Sequence, residues 1–287
     1  MSAARTLEVE NLVVEYAARG FRKKPFRALH GVSIDIRPGE TLGLVGESGS
    51  GKTTLGRAVL GLAPVTEGSV RLDGVEIAAL THKQRRPLAR HLQVVFQDPY
   101  TSLNPVMTVG DILAEPLRAQ GMTRSEAKDR IRLLLDQVGL PGGSIDRLPR
   151  EFSGGQRQRV AIARSLAIDP RLIVCDEPVS ALDLSTQARV LALFREIQER
   201  IGVAYLFISH DLAVVRAISH RVAVMYRGEI VEQGDAATIT STPSVAYTQR
   251  LLLSAPVPHP IDQAQRREER RRLATLTAAT STEETPA

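Results

Sequence analysis

The sequence has no tryptophan, only five tyrosines and six phenylalanines among 287 residues, and a single cysteine, Cys175. So few aromatic rings leave little to stack on unpaired bases, which argues against a single-strand nucleic-acid binder. One cysteine can neither close an internal disulfide nor build a cysteine-ligated metal or iron–sulfur site by itself. No run approaches the ~18 apolar residues that would cross a bilayer. The opening segment Met1–Glu10 has no apolar core of the secretory type. The chain therefore reads as soluble and cytoplasmic, with any membrane part supplied by a partner. Neither charge sign dominates: 37 Lys plus Arg oppose 32 Asp plus Glu, and the formal +5 is spread along the chain as solvated surface.

With 43% hydrophobic and 24% charged residues, the composition is that of a globular α/β chain. Short strands are predicted at Leu7–Tyr16, Ala28–Ile36 and Thr41–Val45, with Val32, Ile34 and Ile36 on one face. Between the first two lies a basic loop, Arg19–Arg27, read as a solvated connection. From about Asp98 to Ala167 the pattern turns helical. Thr108 is placed to cap a helix from Val109, and Thr123 and Glu126 have the spacing of a capping box, with Gly139 and Pro141 ending that second helix. Strands resume at Arg171–Cys175, Ala204–Ile208 and Val222–Met225, separated by helical patterns at Ser185–Arg200 and Leu212–Ile218. That alternation predicts a mainly parallel sheet covered on both faces, with a helical segment at about 99–167 inserted into it. Beyond Pro260, an Arg/Glu-rich stretch and a Thr/Ala-rich end read as a frayed helix and disorder.

Three segments carry chemistry. Gly46-Glu-Ser-Gly-Ser-Gly-Lys-Thr53 fits the P-loop pattern, follows an apolar strand and precedes the helical spacing Leu55, Val59, Leu60. Glycines let several backbone N–H groups point into one concavity, and the helix N-terminus adds partial positive charge. In such a loop Gly46, Ser48, Gly49, Ser50, Gly51, Thr53 and Thr54 cradle phosphates, Lys52 reaches the β/γ-phosphates, and the Thr53 hydroxyl coordinates Mg²⁺. Leu172–Glu177 is a buried-strand run ending in two carboxylates, which are costly there unless a cation or polar site awaits them. Asp176 is the candidate Mg²⁺ ligand, through water, and Glu177 the group that polarises the attacking water. Cys175, among apolar neighbours, reads as a small core residue. Ser153-Gly-Gly-Gln156 before a helical pattern exposes N–H groups at a positive helix end, a second phosphate-binding surface. Two such surfaces on one chain suggest that two chains share their nucleotides.

In order and spacing, the P-loop, Ser153–Gln156, Asp176-Glu177 and Ser180-Ala-Leu-Asp183 resemble the ATPase subunit of ABC transporters, over about Leu7 to Pro260. Gln97 after the strand Leu92–Phe96 matches the Q-loop glutamine, His210 the switch histidine, and Tyr16 the aromatic residue that stacks on adenine. The resemblance implies a P-loop core with an antiparallel β subdomain and a helical subdomain, spanning residues 1–235, then a C-terminal extension at 236–287. It also implies a head-to-tail dimer with ATP and Mg²⁺ between the P-loop of one chain and Ser153, Gly155 and Gln156 of the other. In that arrangement Asp183 contacts the opposite ATPase, Gln97 senses Mg²⁺ and water, and His210 holds Glu177 and water aligned. Phe152, where leucine usually precedes the signature serine, is a departure that keeps bulk.

Finer texture, in Phe96–Pro105, Glu177–Asp183 and Tyr247–Pro258, looks like the peptide/nickel importer group, and most like the second ATPase of dipeptide and oligopeptide systems. Members import dipeptides, oligopeptides, nickel complexes or glutathione, pairing two different ATPases with two permeases and an external solute-binding protein. The resemblance thus implies a heterodimer on the cytoplasmic face of the cell membrane, held there by permease subunits. Some members carry a C-terminal cysteine cluster for iron–sulfur. This tail has no cysteine, so no cluster is expected. Two other classes are open to the same motifs: a soluble ABC ATPase acting on nucleic acid or the ribosome, and a partner whose own site is dead. The first usually carries a long coiled-coil insertion or two ATPase halves, which 287 residues do not hold. Against the second, Lys52, Asp176, Glu177 and His210 are all present.

Overall fold

Alternation decides the faces of the first sheet. Along β1 (Leu7–Tyr16) and β2 (Phe26–Ile36), Leu7, Val9, Leu12 and Val14 turn inward with Leu29, Val32, Ile34 and Ile36. The computed structural model describes residues 4–17 and 25–254, so most of the basic loop, the extension beyond 254, and the expected helix and disorder past Pro260 lie outside it. β1 pairs antiparallel with β2 and with β4 (Glu67–Leu72), and β5 (Val75–Glu76) completes a four-stranded sheet in the order β2-β1-β4-β5. The β4–β5 connection is the two-residue turn Asp73-Gly74, both at positive φ, the backbone that matches strand twist in a tight hairpin.

The second sheet has the order β10-β9-β3-β8-β7-β6, from β3 (Thr41–Val45), β6 (Leu92–Val95), β7 (Leu172–Asp176), β8 (Ala204–Ser209), β9 (Arg221–Tyr226) and β10 (Glu229–Asp235). It is parallel from β9 to β6, and only β10 runs against its neighbour. The expected mainly parallel sheet beside an antiparallel one is borne out. The two faces of β7 divide the core. Leu172 and Val174 pack with the first sheet and α1 (Lys52–Leu60), while Ile173 and Cys175 pack with the helices on the other side. Cys175 is fully buried, and burial pushes its thiol well above the ordinary range, so it is an inert core group.

After β4 and β5 the short α2 (His82–Arg85) leads to β6. Between β6 and β7 run α3 (Pro99–Ser102), α4 (Val109–Ala119), α5 (Arg124–Gln137) and α6 (Gly154–Leu166). Thr108 caps α4 by accepting the Asp111 N–H at 3.1 Å, and Thr123 with Glu126 forms the capping box of α5. Thr108→Ala removes that cap and costs about 1 kcal/mol. A melting midpoint lowered by about 2–4 °C in calorimetry is the expected result. Gly139, at φ 64°, turns the chain after α5 while its N–H and that of Leu140 bond back to Asp136 and Leu135. The chain closes with α7 (Leu184–Ile201), α8 (Leu212–Ile218), α9 (Ala236–Ser241) and α10 (Ala246–Ser254). The last two pack on Val45, Leu212, Val222 and Val224 in a third apolar cluster.

Candidate active site

β3 is buried at all five positions and lies parallel between β8 and β9, so the loop after it emerges at the carboxyl ends of the central strands. The loop is held from several sides. Gly228 N–H donates to Ser50 O at 2.8 Å, and Ala28, the extra residue of a bulge between the pairs Val14–Leu29 and Glu15–Arg27, brings its carbonyl toward Gly51. Gly51 begins α1 without any side-chain cap, so the first amides of that helix are left to an anion. Glu47, Ser48, Gly49 and Ser50 line a cavity of about 210 Å³ with Tyr226 and Arg227.

Lys52 is 5% exposed and folds over this loop, its Nζ donating to Gly46 O and Glu47 O at 2.8 Å each and to Ser50 Oγ at 3.4 Å. Burial lowers its pKa, opposed by the carboxylates of Glu177, Asp176 and Glu47. Thr53 Oγ1 donates to Asp176 Oδ1 at 3.1 Å. Burial raises the Asp176 carboxyl, with Glu177 adding to the rise, while the Thr53 bond and the Arg57 and Lys52 charges oppose it. A hydroxyl and a half-desolvated carboxylate side by side are the hard oxygen donors a Mg²⁺ ion takes when phosphates and water supply the rest. Among the described residues no cluster of three or more His, Cys, Asp or Glu could hold a metal alone. The Thr53–Asp176 pair fits a site that phosphate oxygens and water complete.

Glu177 leaves β7 with φ 48°, a left-handed backbone that a glutamate seldom adopts, and its N–H donates to Ile208 O on β8 at 3.0 Å. That turn swings the side chain to the end of β8, where His210 Nδ1 lies 3.1 Å from Glu177 Oε2. Lys52, Thr53, Asp176, Glu177 and His210 are thus brought together from the ends of three adjacent parallel strands. Gln97 stands exposed just past β6, on the far side of β7. Tyr16 ends β1 opposite Phe26, half-buried against the first-sheet core.

Ser153, Gly155, Gln156 and Asp183 lie in a second region, at the starts of α6 and α7. Ser153 caps α6 by accepting Gln156 N–H at 3.3 Å, and Gln156 Oε1 accepts Ser153 N–H at 3.0 Å. A Cβ on Gly155 would lie 2.3 Å from Thr186 Cγ2, so only glycine lets α6 approach the start of α7 this closely. Asp183 caps α7 through Thr186 N–H at 3.0 Å, and its bonds to Thr186 and Ser185 hold its carboxyl far below the usual carboxylate range. Phe152 is buried in the helical core with the Arg147 guanidinium 4.4 Å from its ring centre, so the larger residue is accommodated. α6 is also tied to the segment after Gln97: the Arg157 guanidinium lies 4.0 Å from the Tyr100 ring centre, and Arg164 donates to Ser102 O at 2.5 Å. Ala28, Tyr226, Arg227 and Gly228, which frame the phosphate loop, belong to no motif that the sequence displays. The only local signal is the Arg227-Gly228 pair, which forms the two-residue turn between β9 and β10.

Residues 29–180 match the family model described as ABC transporter. Among similar proteins, an oligopeptide transport ATP-binding protein of Mycobacterium bovis is 50% identical over 234 residues, 82% of this chain. The chain spans only 38% of the length of that relative. A putative peptide import ATP-binding protein of Brucella abortus is 52% identical over 80% of this chain and 70% of its own length. One from Brucella ovis is 48% identical over 93% of this chain and 83% of its own length. Among solved structures, cbiO1 of Clostridium perfringens, part of the transporter complex cbiONQ, superposes with a TM-score of 0.74 at 26% identity, covering 86% of this chain and 95% of that one. The dimeric ATP-binding cassette MJ0796 bound to ADP and Pi gives 0.71 at 29% identity, covering 80% of this chain and 98% of that one. A site in which the phosphate loop, the paired carboxylates and the histidine meet, on a fold shared with these cassettes, places the chain in the ABC transporter family.

Proposed function

We propose that this chain is the ATP-hydrolysing subunit of a peptide importer, working as a head-to-tail dimer with a second ATPase on the cytoplasmic side of two permease subunits. The observation that carries the ATPase reading is the Glu177–His210 contact at 3.1 Å beside the Thr53–Asp176 bond at 3.1 Å, beneath the phosphate loop. The names of the relatives support peptide as cargo, supplied by an external solute-binding protein. The ATPase domain is assigned to residues 1–235 with helices inserted at about 99–167, and the C-terminal extension to 236–287.

Each site residue then has a role. Gly46, Ser48, Gly49, Ser50, Gly51 and Thr54 shape the cradle for the ATP phosphates, Tyr16 stacks on the adenine, and Lys52 leaves its carbonyl partners for the β/γ-phosphates. Thr53, Asp176 and Gln97 would hold Mg²⁺, which neutralises phosphate charge when bound. Glu177 accepts the proton of the attacking water on its carboxylate, and His210 keeps that carboxylate aimed through Nδ1. Ser153, Gly155 and Gln156 of one chain close over the γ-phosphate held by the other, with Asp183 at the junction. Catalysis here is positioning and charge stabilisation. ATP joins the two chains, and its hydrolysis releases them, which biases the permease between its inward and outward states.

Uptake of a labelled oligopeptide by cells deleted for this chain is the test. The parent chain is expected to restore uptake and Lys52→Ala to fail. Equal uptake with and without the chain would sink the importer reading.

A further inference from the structure

Helix α10 stands some two hundred positions after the phosphate loop in the sequence, and nothing in the roles assigned above uses it. Its Tyr247 is 7% exposed and packs in the third apolar cluster with Val45, Leu212, Val215 and Leu251. Val45 is the last residue of β3, so the packing that seats α10 also seats the strand from which the loop departs. From that seat the phenol reaches the loop itself: Glu47 N–H donates to Tyr247 Oη at 3.2 Å. The ring is fixed in turn by Tyr226, whose centre lies 4.3 Å away at a 40° tilt, and Tyr226 lines the cavity bounded by Glu47–Ser50.

The contact lands where the loop needs a partner from outside. Glu47 O accepts from Ser50 N–H at 3.2 Å and Lys52 Nζ at 2.8 Å, while the Glu47 N–H, a separate donor that needs its own acceptor, has the phenol oxygen. Fixing that amide fixes the peptide plane at the entrance of the cradle. The following amides are then oriented before the phosphates arrive, so less ordering is required on binding.

We propose that Tyr247 is a positioning residue for the phosphate loop: its hydroxyl pins the Glu47 amide, and through it the C-terminal segment sets the affinity for the nucleoside triphosphate. This rests on the reading of the site as an ATP site and adds a role for a residue outside it. Tyr247→Phe in the full chain deletes the oxygen while keeping the ring against Tyr226 and the apolar cluster. Three quantities are compared with the parent: affinity for a fluorescent ATP analogue, KM and kcat for ATP, and the melting midpoint without nucleotide. One hydrogen bond corresponds to about a threefold to tenfold rise in Kd and KM. We expect that rise with kcat changed less than about twofold and the midpoint lowered by no more than about 2–4 °C, the effect of one lost hydrogen bond. Tyr247→Leu, which also loses the ring stacking, should raise Kd further and lower the midpoint. Parent-like affinity in Tyr247→Phe overturns the proposal and leaves the ATP-site reading standing. A larger fall in the midpoint, one that accounts for the lost affinity, also overturns it, reducing Tyr247 to core packing. If the parent itself binds no ATP analogue, the site reading fails and this proposal with it.

Discussion

Glu177→Gln should lower ATP turnover by at least about a hundredfold, the range expected when a positioned general base is removed. Nucleotide affinity should stay near that of the parent. The substitution keeps the shape of the side chain and its reach to His210 at 3.1 Å, but the amide cannot take a proton from water. It leaves Lys52 and the Thr53–Asp176 pair in place, and these are the groups assigned to the phosphates and Mg²⁺. Binding without turnover should also trap the closed dimer, seen as ATP-dependent dimerisation in gel filtration or light scattering. Steady-state phosphate release at the parent's rate would remove Glu177 from its role, and a loss of binding equal to the loss of turnover would make it a structural residue instead.

Gly46→Ala should be among the most damaging glycine substitutions in the described residues, destabilising the chain by about 4 kcal/mol or more and abolishing nucleotide binding. A Cβ there would lie 2.1 Å from the Met225 carbonyl oxygen, a backbone atom of β9 that cannot step aside without moving the sheet. Gly46 O is also one of the two carbonyls that hold Lys52. Gly49→Ala, in the same loop, is the control. It meets nothing within 4 Å, so its cost is the left-handed backbone at φ 79° alone, about 1–2 kcal/mol. Chemical denaturation of both variants checks this pair. Similar midpoints would show that the close approach at Gly46 is relieved by a local shift of the loop.

Strands and helices whose periodicity is strong are legible in the amino-acid pattern alone. β1 and β3 run over the predicted residues, and the caps at Thr108, Thr123 and Ser153 stand where side-chain chemistry puts them. β4 and β10 are absent from the predicted strands, for different reasons. β4 is followed by Asp73-Gly74, a hairpin signal that the sequence does carry. β10 is largely half-exposed at the sheet edge, and the Arg227-Gly228 turn before it lacks the usual Asn or Asp. The side chains proposed for catalysis are visible through local motifs, because phosphate chemistry demands particular residues at fixed spacing. The groups that brace them are not: Ala28, Gly228 and Tyr247 act through backbone contacts or one hydroxyl, and only the assembled sheets bring them to the loop.

The bulge at Ala28 and the turn at Gly228 have a consequence for how the protein comes into being. The phosphate loop is encoded early, at residues 46–53, yet its walls come from positions 28, 225, 228 and 247. Contacts of such long sequence separation form late, after the loops between them have closed. A nascent chain released just beyond β8 would carry the complete motif and the Glu177–His210 pair, yet hold no finished cradle. Nucleotide binding thus reports that the strand carrying Ala28 and the helix carrying Tyr247 have both docked on the loop. By mass action, cellular ATP would favour the completed fold over its partly built precursors.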